Sequence, residues 1–454
     1  MPLRAIRAAT FKADAGIPVE MLEWLAFAVV ALAAALLALL RPDKAIDFHV
    51  YFENARHYYA GAPMYGPKSG MAWPGGIYRY PPIFLDLFRP LALLPLRVAV
   101  VLWAAGKVAA GGAAVIALRK RWNLRDAAGR STGAGPRVAA PRDPLMLGRA
   151  GGPRPQSVLC LWPGLLLVAA YFIQELRYGN AQFYIVLMVM VAFLVEPPLW
   201  RGFWLGWAAA LKVWPLFFLP CLLVRRRWKA AGWMAAWGTG WTLLPVLWRG
   251  WSAQMALLHQ WLAQERGIAA LSAAAGELWY PGQSLHDVLA RYLRVIDYAR
   301  LADASGYHQI AWLRLAPSTV EHLWMALAAV LTLAMFYWLA KMQGPADGVV
   351  ALMFAMEVLL EPHVHRLVMV TLLWPALWLS AEWASGRLRG RAQIWLWAAV
   401  LASALEPLVP GAARQRVLQT YGSDFFLVII PLVVLSAWWA WHERGSVSLK
   451  ASTG

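Results

Sequence analysis

Cysteine is almost missing from this chain: 454 residues hold only Cys160 and Cys221. Both sit inside apolar runs, which argues against a structural disulfide and makes inert packing the expected use of each thiol. Charge is scarce too, at 15% of residues, and acidic side chains are the scarcer sign, 24 against 42 basic, for a net charge of +18. So basic a chain invites a nucleic-acid reading. The Lys and Arg residues, however, fall in short loops between apolar segments rather than on one amphipathic face. Also lacking are a Gly-rich phosphate loop, a dinucleotide fingerprint and a Ser nucleophile elbow, so a soluble nucleotide donor is not expected. The apolar segments do not alternate inward polar with outward apolar residues, which excludes a transmembrane barrel. The first apolar run follows Arg4, Arg7 and Lys12 but has no small-residue cleavage site after it, so it reads as a retained span rather than a leader.

What is abundant is apolar surface: 61% of residues, with 28 Trp and a mean hydropathy of +0.51. Many uncharged runs are long enough, or nearly so, to cross about 30 Å of hydrocarbon as helices. These features predict an all-α integral membrane protein. Spans are expected at about 21–40, 90–118, 158–173, 182–196, 230–249, 319–340, 347–360, 367–382, 392–409 and 425–441. A broken or re-entrant pair is expected over 202–224, where Pro215 interrupts the helix and Lys212 lies near the turning point. The positive-inside rule puts the N-terminus in the cytoplasm, together with a flexible basic loop at 119–157 and the turn around Arg387, Arg389 and Arg391. A short interfacial helix over 47–60 and a long segment at 250–318 fall on the outer face. The chain reads as one polytopic domain, 1–454.

With this topology the chemistry-bearing loops share one side. Asp47 leaves the first span within Ile46-Asp47-Phe48-His49-Val50-Tyr51, and Glu53-Asn54 follow at helical distance. The Tyr80-Pro81-Pro82 turn, the Gly179-Asn180-Ala181-Gln182 turn, Gln283-Ser284 and Glu361-Pro362-His363-Val364-His365-Arg366 emerge on the same face. A carboxylate there suits a general base that takes the proton of an attacking alcohol. Asp47 is the first candidate, with Glu53 and Glu361 behind it. Lys212 is an intramembrane cation whose natural partner is an anion at the bilayer surface, such as a lipid phosphate. His363, His365 and Arg366 offer hydrogen bonds to phosphate oxygens as charge develops on a leaving group. Glu53, Asn54, Tyr80, Asn180, Gln182, Gln283 and Ser284 suit sugar or acceptor hydroxyls. No histidine stands at a metal-ligand spacing from a carboxylate, so no metal is expected, and no cofactor. Because an outer-face enzyme has no nucleotide supply, a lipid-carried sugar is the fitting donor. The rival from another class is a transporter or flippase of a lipid-linked sugar, for which paired halves with matching broken helices would be the sign.

An ordered set of motifs carries a resemblance. Asp47-Phe-His-Val-Tyr51, Gly61-Ala-Pro-Met-Tyr65, Tyr80-Pro-Pro-Ile-Phe84 leading into Pro90 to Pro95 and Leu102-Trp103, Gly179-Asn-Ala-Gln182, Ala209-Ala-Leu-Lys212-Val-Trp-Pro215, Gln283-Ser284-Leu285 and the Pro362 to Val368 histidine motif follow one another. Together they resemble the polyprenol-phosphate-mannose-dependent mannosyltransferases of glycosyltransferase family 87. The resemblance implies a GT-C type bundle of about 10–12 transmembrane helices with short extracytoplasmic helices. It implies inverting transfer of a sugar, mannose by the family default, from a polyprenyl-phosphate sugar to a lipid or glycan acceptor at the outer face of a bacterial inner membrane. Asp47 would correspond to the catalytic aspartate, the histidine motif would lie at the donor phosphate, and no metal would be required. Two departures stand out: the histidine motif is shorter than the family's and lacks its Trp, and the Gly-Gln turn is split by Asn-Ala.

Overall fold

A computed structural model describes residues 40–66, 78–132, 160–275, 282–300, 304–342 and 346–451, with isolated positions between 25 and 36. The first expected span and most of the 119–157 loop lie outside these residues. Among the described residues the architecture is all helical, with no strand.

Among the described residues, two helices are long and apolar enough to cross a membrane on their own, within Leu96–Asn123 and Pro317–Lys341; a third candidate is a pair bent by 60°, Ala412–Thr420 with Phe425–Ala440. Several other apolar runs are broken where the sequence suggests a continuous span: a 3-10 turn (Val368–Leu372) opens the 367–382 run, and a π-helical stretch (Phe425–Ile429) opens the 425–441 run. The short helix expected over 47–60 is α1 (Ile46–Tyr59), which is buried on most sides by the protein itself, with Phe48, Val50, Tyr51, Phe52 and Ala55 all in the core. It packs against α2 (Pro82–Ala92) through aromatic rings: Phe48 lies 5.2 Å from Phe88 and Tyr51 5.0 Å from Phe84. Edge-on ring contacts of this kind add roughly 0.5–1.5 kcal/mol each beyond the area they bury.

Next comes α3 (Leu96–Thr132), which continues as helix well past the expected end of its span. Helices α4 (Trp162–Tyr178) and α5 (Gln182–Leu194) meet at Gly179. That residue caps α4 with φ +69°, and a Cβ there would lie 2.6 Å from Cβ of Phe48. Glycine is thus required twice, for the left-handed cap and for the close approach of α1.

The expected break in 202–224 falls at Lys212. Helix α6 (Pro198–Leu211) ends there in an extended residue, φ −153° and ψ 140°. A 3-10 turn at Trp214–Phe217 and α7 (Phe218–Val224) follow. Pro215 sits inside the 3-10 turn, so the chain has already left the α-helix when it arrives. Helix α6 lies close on α8 (Trp228–Leu243), where a Cβ at Gly206 would come 2.6 Å from the backbone nitrogen of Gly238. Helix α9 (Trp251–Ala275) then docks back onto the Tyr80 turn: Gln264 Nε2 donates to the Tyr78 carbonyl at 2.7 Å and Trp261 Nε1 to the Arg79 carbonyl at 3.0 Å. Helices α10 (Leu285–Leu293), α11 (Pro317–Lys341) and α12 (Ala346–Leu360) lead to the histidine motif, which passes into α13 (Leu373–Ala384).

Candidate functional site

Asp47 stands in the first turn of α1, and its Oδ2 accepts a 2.8 Å hydrogen bond from Asn180 Nδ2. Asn180 is oriented from its other end: its Oδ1 accepts from the backbone N–H of Gln182 at 2.8 Å and from Tyr80 Oη at 3.4 Å. An Asn two residues ahead of the N–H it satisfies is the usual Asx turn, so the split in the Gly-Gln turn is what brings an amide to the carboxylate. Tyr80 in turn accepts from Tyr51 Oη at 3.0 Å. Gln182 is fully buried at the start of α5 and bridges onward. Its Oε1 accepts from Lys212 Nζ at 2.6 Å, and its Nε2 donates to Thr371 Oγ1 at 3.0 Å. The Lys212 ammonium also lies 5.9 Å from the Tyr80 ring centroid and within electrostatic reach of Glu361, Glu357 and Asp47. Glu357 and Glu361 are one turn apart at the end of α12, immediately ahead of the histidines.

The structure therefore joins Asp47, Tyr80, Asn180, Gln182 and Lys212 in one hydrogen-bonded and electrostatic network, with Glu361 on its far side. Burial raises the Asp47 carboxyl above its usual range, against the opposing pull of the Asn180 hydrogen bond and of Lys212 and Lys107. A carboxylate whose proton affinity burial has raised, with cations nearby to offset its charge, suits the role of a general base. Burial likewise lowers His363, and takes His365 down to about 4, which leaves the latter neutral at physiological pH.

Other expected site residues are placed elsewhere. The Asn54 amide donates to the Val50 carbonyl at 2.8 Å within α1, and Glu53 on the same helix does not join the network. Gln283 and Ser284 fasten one segment to another. Gln283 N–H donates to the Val364 carbonyl at 2.7 Å and its Nε2 to the Gln419 carbonyl at 2.9 Å. Ser284 Oγ caps α10 by accepting from Asp287 N–H at 2.9 Å and lies 2.7 Å from the Pro362 carbonyl. Arg366 is 5% exposed, and its guanidinium is engaged by Asp424 at 2.8 Å and Glu406 at 3.0 Å, with Tyr171 Oη on Asp424 at 2.8 Å. Among the expected phosphate ligands it is the one already matched by two carboxylates, so it anchors the histidine segment to the C-terminal helices.

Sequence reading missed a second buried pair that shapes the site. Lys107 in α3 and Glu175 in α4 are both fully buried, with Nζ 2.7 Å from Oε2. The same ammonium also donates to the Asn180 carbonyl, while Glu175 Oε1 accepts from Phe183 N–H at 3.0 Å. Trp103 Nε1, one turn before Lys107, donates to the Gly179 carbonyl at 2.9 Å. Helix α3 thereby clamps the turn that carries Asn180. The only signal in sequence was a lone Lys within an apolar run and a lone Glu near the end of another. Also missed were His286 and Asp287. The fold brings them beside His363, with Asp287 Oδ1 lying 3.7 Å from His286 Nδ1 and 3.9 Å from His363 Nδ1.

Two comparisons bear on this arrangement. Residues 78–362 match glycosyltransferase family 87. That stretch holds Tyr80, Asn180, Gln182, Lys212, Gln283, Ser284 and Glu361, while Asp47 precedes it and the histidines follow it. A stretch of 199 residues is 29% identical to the polyprenol-phosphate-mannose-dependent alpha-(1-2)-phosphatidylinositol mannoside mannosyltransferase of Mycobacterium tuberculosis (strain ATCC 25618 / H37Rv), covering 41% of this chain and 41% of that relative.

Proposed function

The chain belongs to glycosyltransferase family 87, and from that premise we propose that it moves a sugar, mannose by the closest fit to its relative's name, from a polyprenyl-phosphate carrier to a lipid or glycan hydroxyl. The carrying observation is the 2.8 Å bond between Asn180 and Asp47, which ties the acid to the Gln182 and Lys212 network. In this reading the acceptor O–H gives its proton to Asp47 while its oxygen attacks the anomeric carbon from the face opposite the phosphate. The carbon–oxygen bond to the phosphate breaks, and its electron pair stays on the departing polyprenyl phosphate. Inversion follows from that in-line geometry. The Lys212 ammonium offsets the charge that grows on the leaving group, and the neutral His365 ring supplies a hydrogen bond to it. A phosphate ester leaves readily, so no strong general acid is required of the protein. We place these steps within a GT-C type bundle of about 10–12 transmembrane helices, in a bacterial inner membrane, with the site open to the extracytoplasmic leaflet.

The test incubates purified protein in nanodiscs with a panel of polyprenyl-phosphate sugars and follows release of free polyprenyl phosphate. Release is expected with the mannosyl donor and an inositol-mannoside acceptor. Asp47→Asn keeps the side-chain volume and is expected to lower transfer by at least about 10²-fold, the lower end of the range for general-base contributions, with the melting temperature unchanged. A well-folded Asp47→Asn protein with full activity would remove Asp47 as the base.

A further inference from the structure

Three acceptor-bearing side chains converge beside the Asp47 network without donors to satisfy them. Asp287 is fully buried, and its Oδ1, His286 Nδ1 and His363 Nδ1 are buried polar atoms with no hydrogen-bond partner. These atoms lie within 4.8 Å of one another. At 3.7 and 3.9 Å the two histidine contacts to Asp287 are beyond the 2.7–3.2 Å or so of an N–H···O bond, so the rings are not simply hydrogen-bonded to the carboxylate. A buried polar atom left without a partner is costly, and three gathered within 4.8 Å of one another are together satisfied by a cation.

The second ring nitrogen of His286 indicates which use. Its Nε2 lies 2.9 Å from Glu321 Oε2, at the start of α11. A carboxylate in that position accepts a hydrogen bond from Nε2–H, which selects the tautomer with a lone pair on Nδ1. This is the carboxylate–histidine arrangement that orients metal-bound imidazoles. The other Asp287 oxygen is held by Ser284 Oγ at 2.7 Å, which fixes the carboxylate as well. For bonds of about 2.1 Å, tetrahedral ligands stand about 3.4 Å apart. The two spacings to Asp287 Oδ1 are a few tenths of an ångström wider, and all three atoms lie within 4.8 Å of one another.

We propose that His286 Nδ1, Asp287 Oδ1 and His363 Nδ1 form a site for one divalent transition-metal ion of the zinc type. Two imidazoles and one carboxylate make a donor set that suits Zn²⁺ and leaves a fourth position for water. The ion ties α10 to the 361–366 segment, adding to the Gln283–Val364 and Ser284–Pro362 bonds that already join them. His365, two residues beyond the ligand, is within electrostatic reach of both Asp287 and Lys212, so the ion and the lysine flank the same segment. The site does not rest on the assignment of Asp47.

The full chain, purified without a polyhistidine tag, is stripped with chelator, reloaded with Zn²⁺ and analysed for bound metal after dialysis. One Zn²⁺ per chain is expected, and the His286→Ala/His363→Ala double variant should retain none. Glu321→Gln, which weakens only the orienting contact, should lower zinc affinity by roughly 10–100-fold. Co²⁺ loaded into the unaltered protein should give the visible absorption of a four-coordinate site, a readout that needs no variant to fold. Absence of retained zinc and of the cobalt spectrum in the unaltered protein, or equal zinc in the double variant, overturns the proposal and makes the cluster a histidine–carboxylate contact only.

Discussion

The Lys107–Glu175 pair makes a prediction in which stability and catalysis separate. Both side chains are fully buried, and the lysine also holds the carbonyl of Asn180, whose amide holds Asp47. Lys107→Met deletes the cation and leaves a buried carboxylate uncompensated; Glu175→Gln strands the ammonium but keeps an oxygen for Phe183 N–H. Breaking one side of such a pair costs about 3–5 kcal/mol, because the charge left behind has no water to return to. Removing both charges together is far cheaper, so the double variant should melt close to the unaltered protein, with a coupling energy of at least about 2 kcal/mol in the cycle. Intrinsic fluorescence from the 28 Trp residues provides the melting signal in detergent. Transfer behaves differently. The double variant lacks the brace on the Asn180 turn, and a misplacement of about 1 Å at the reacting groups costs on the order of 10²-fold. It should therefore be stable and slow. A double variant that is both stable and fully active would show that the clamp serves the fold alone, and the link from α3 to Asp47 would have to be abandoned.

Further expectations follow the same contacts. Gly179→Ala forces a left-handed Ala, at a cost of roughly 1–2 kcal/mol, and drives its Cβ into Phe48 beside Asp47, so kcat should fall along with stability. Gly232→Ala, in α8 with open space around it, should leave both unchanged or slightly raise stability, and equal losses at the two positions would contradict the close approach. Arg366→Gln leaves Asp424 and Glu406 facing each other without their cation; a loss of about 3–5 kcal/mol is expected, read as a lower melting temperature. Because Asp47 acts deprotonated and burial raises its pKa, transfer should decline as pH falls, with the acid limb above the usual carboxylate value of about 4. Asn180→Ala removes a hydrogen bond to the charged form, so that limb should move to still higher pH. A limb that stays in place or moves down would contradict the bond's role.

Much of the architecture is written in the order of residues. The apolar runs at 319–340 and 347–360 reappear nearly unchanged as Pro317–Lys341 and Ala346–Leu360, since an uninterrupted apolar run forms its helix from local hydrogen bonds and needs no distant partner to define its ends. The polar turn that holds Gly179 and the break near Lys212 were legible for local reasons as well: polar residues interrupt the apolar runs, and Pro215 marked the break, although the helix already ends at Leu211. Sequence also singled out Asp47, Tyr80, Asn180, Gln182 and Lys212 as polar residues out of keeping with their surroundings. It could not say which of the remaining candidates would meet them. Asn54 turns back onto its own helix, and Arg366, the natural phosphate ligand by type, is matched by acids some 40 and 58 residues later. The short helix at 47–60, expected to lie on the membrane, is enclosed by aromatic rings from α2 and α3.

Sequence by itself determined the helical, apolar character of this protein and the small set of residues able to do chemistry, because composition and spacing act along the chain. Tertiary structure alone decided the partners: Asn180 for Asp47, Glu175 for Lys107, and His363 for His286 and Asp287. Those choices depend on which helix ends the packing brings within about 3–4 Å, and hydrogen bonds and charges at that range are set by distance in space rather than by separation in sequence.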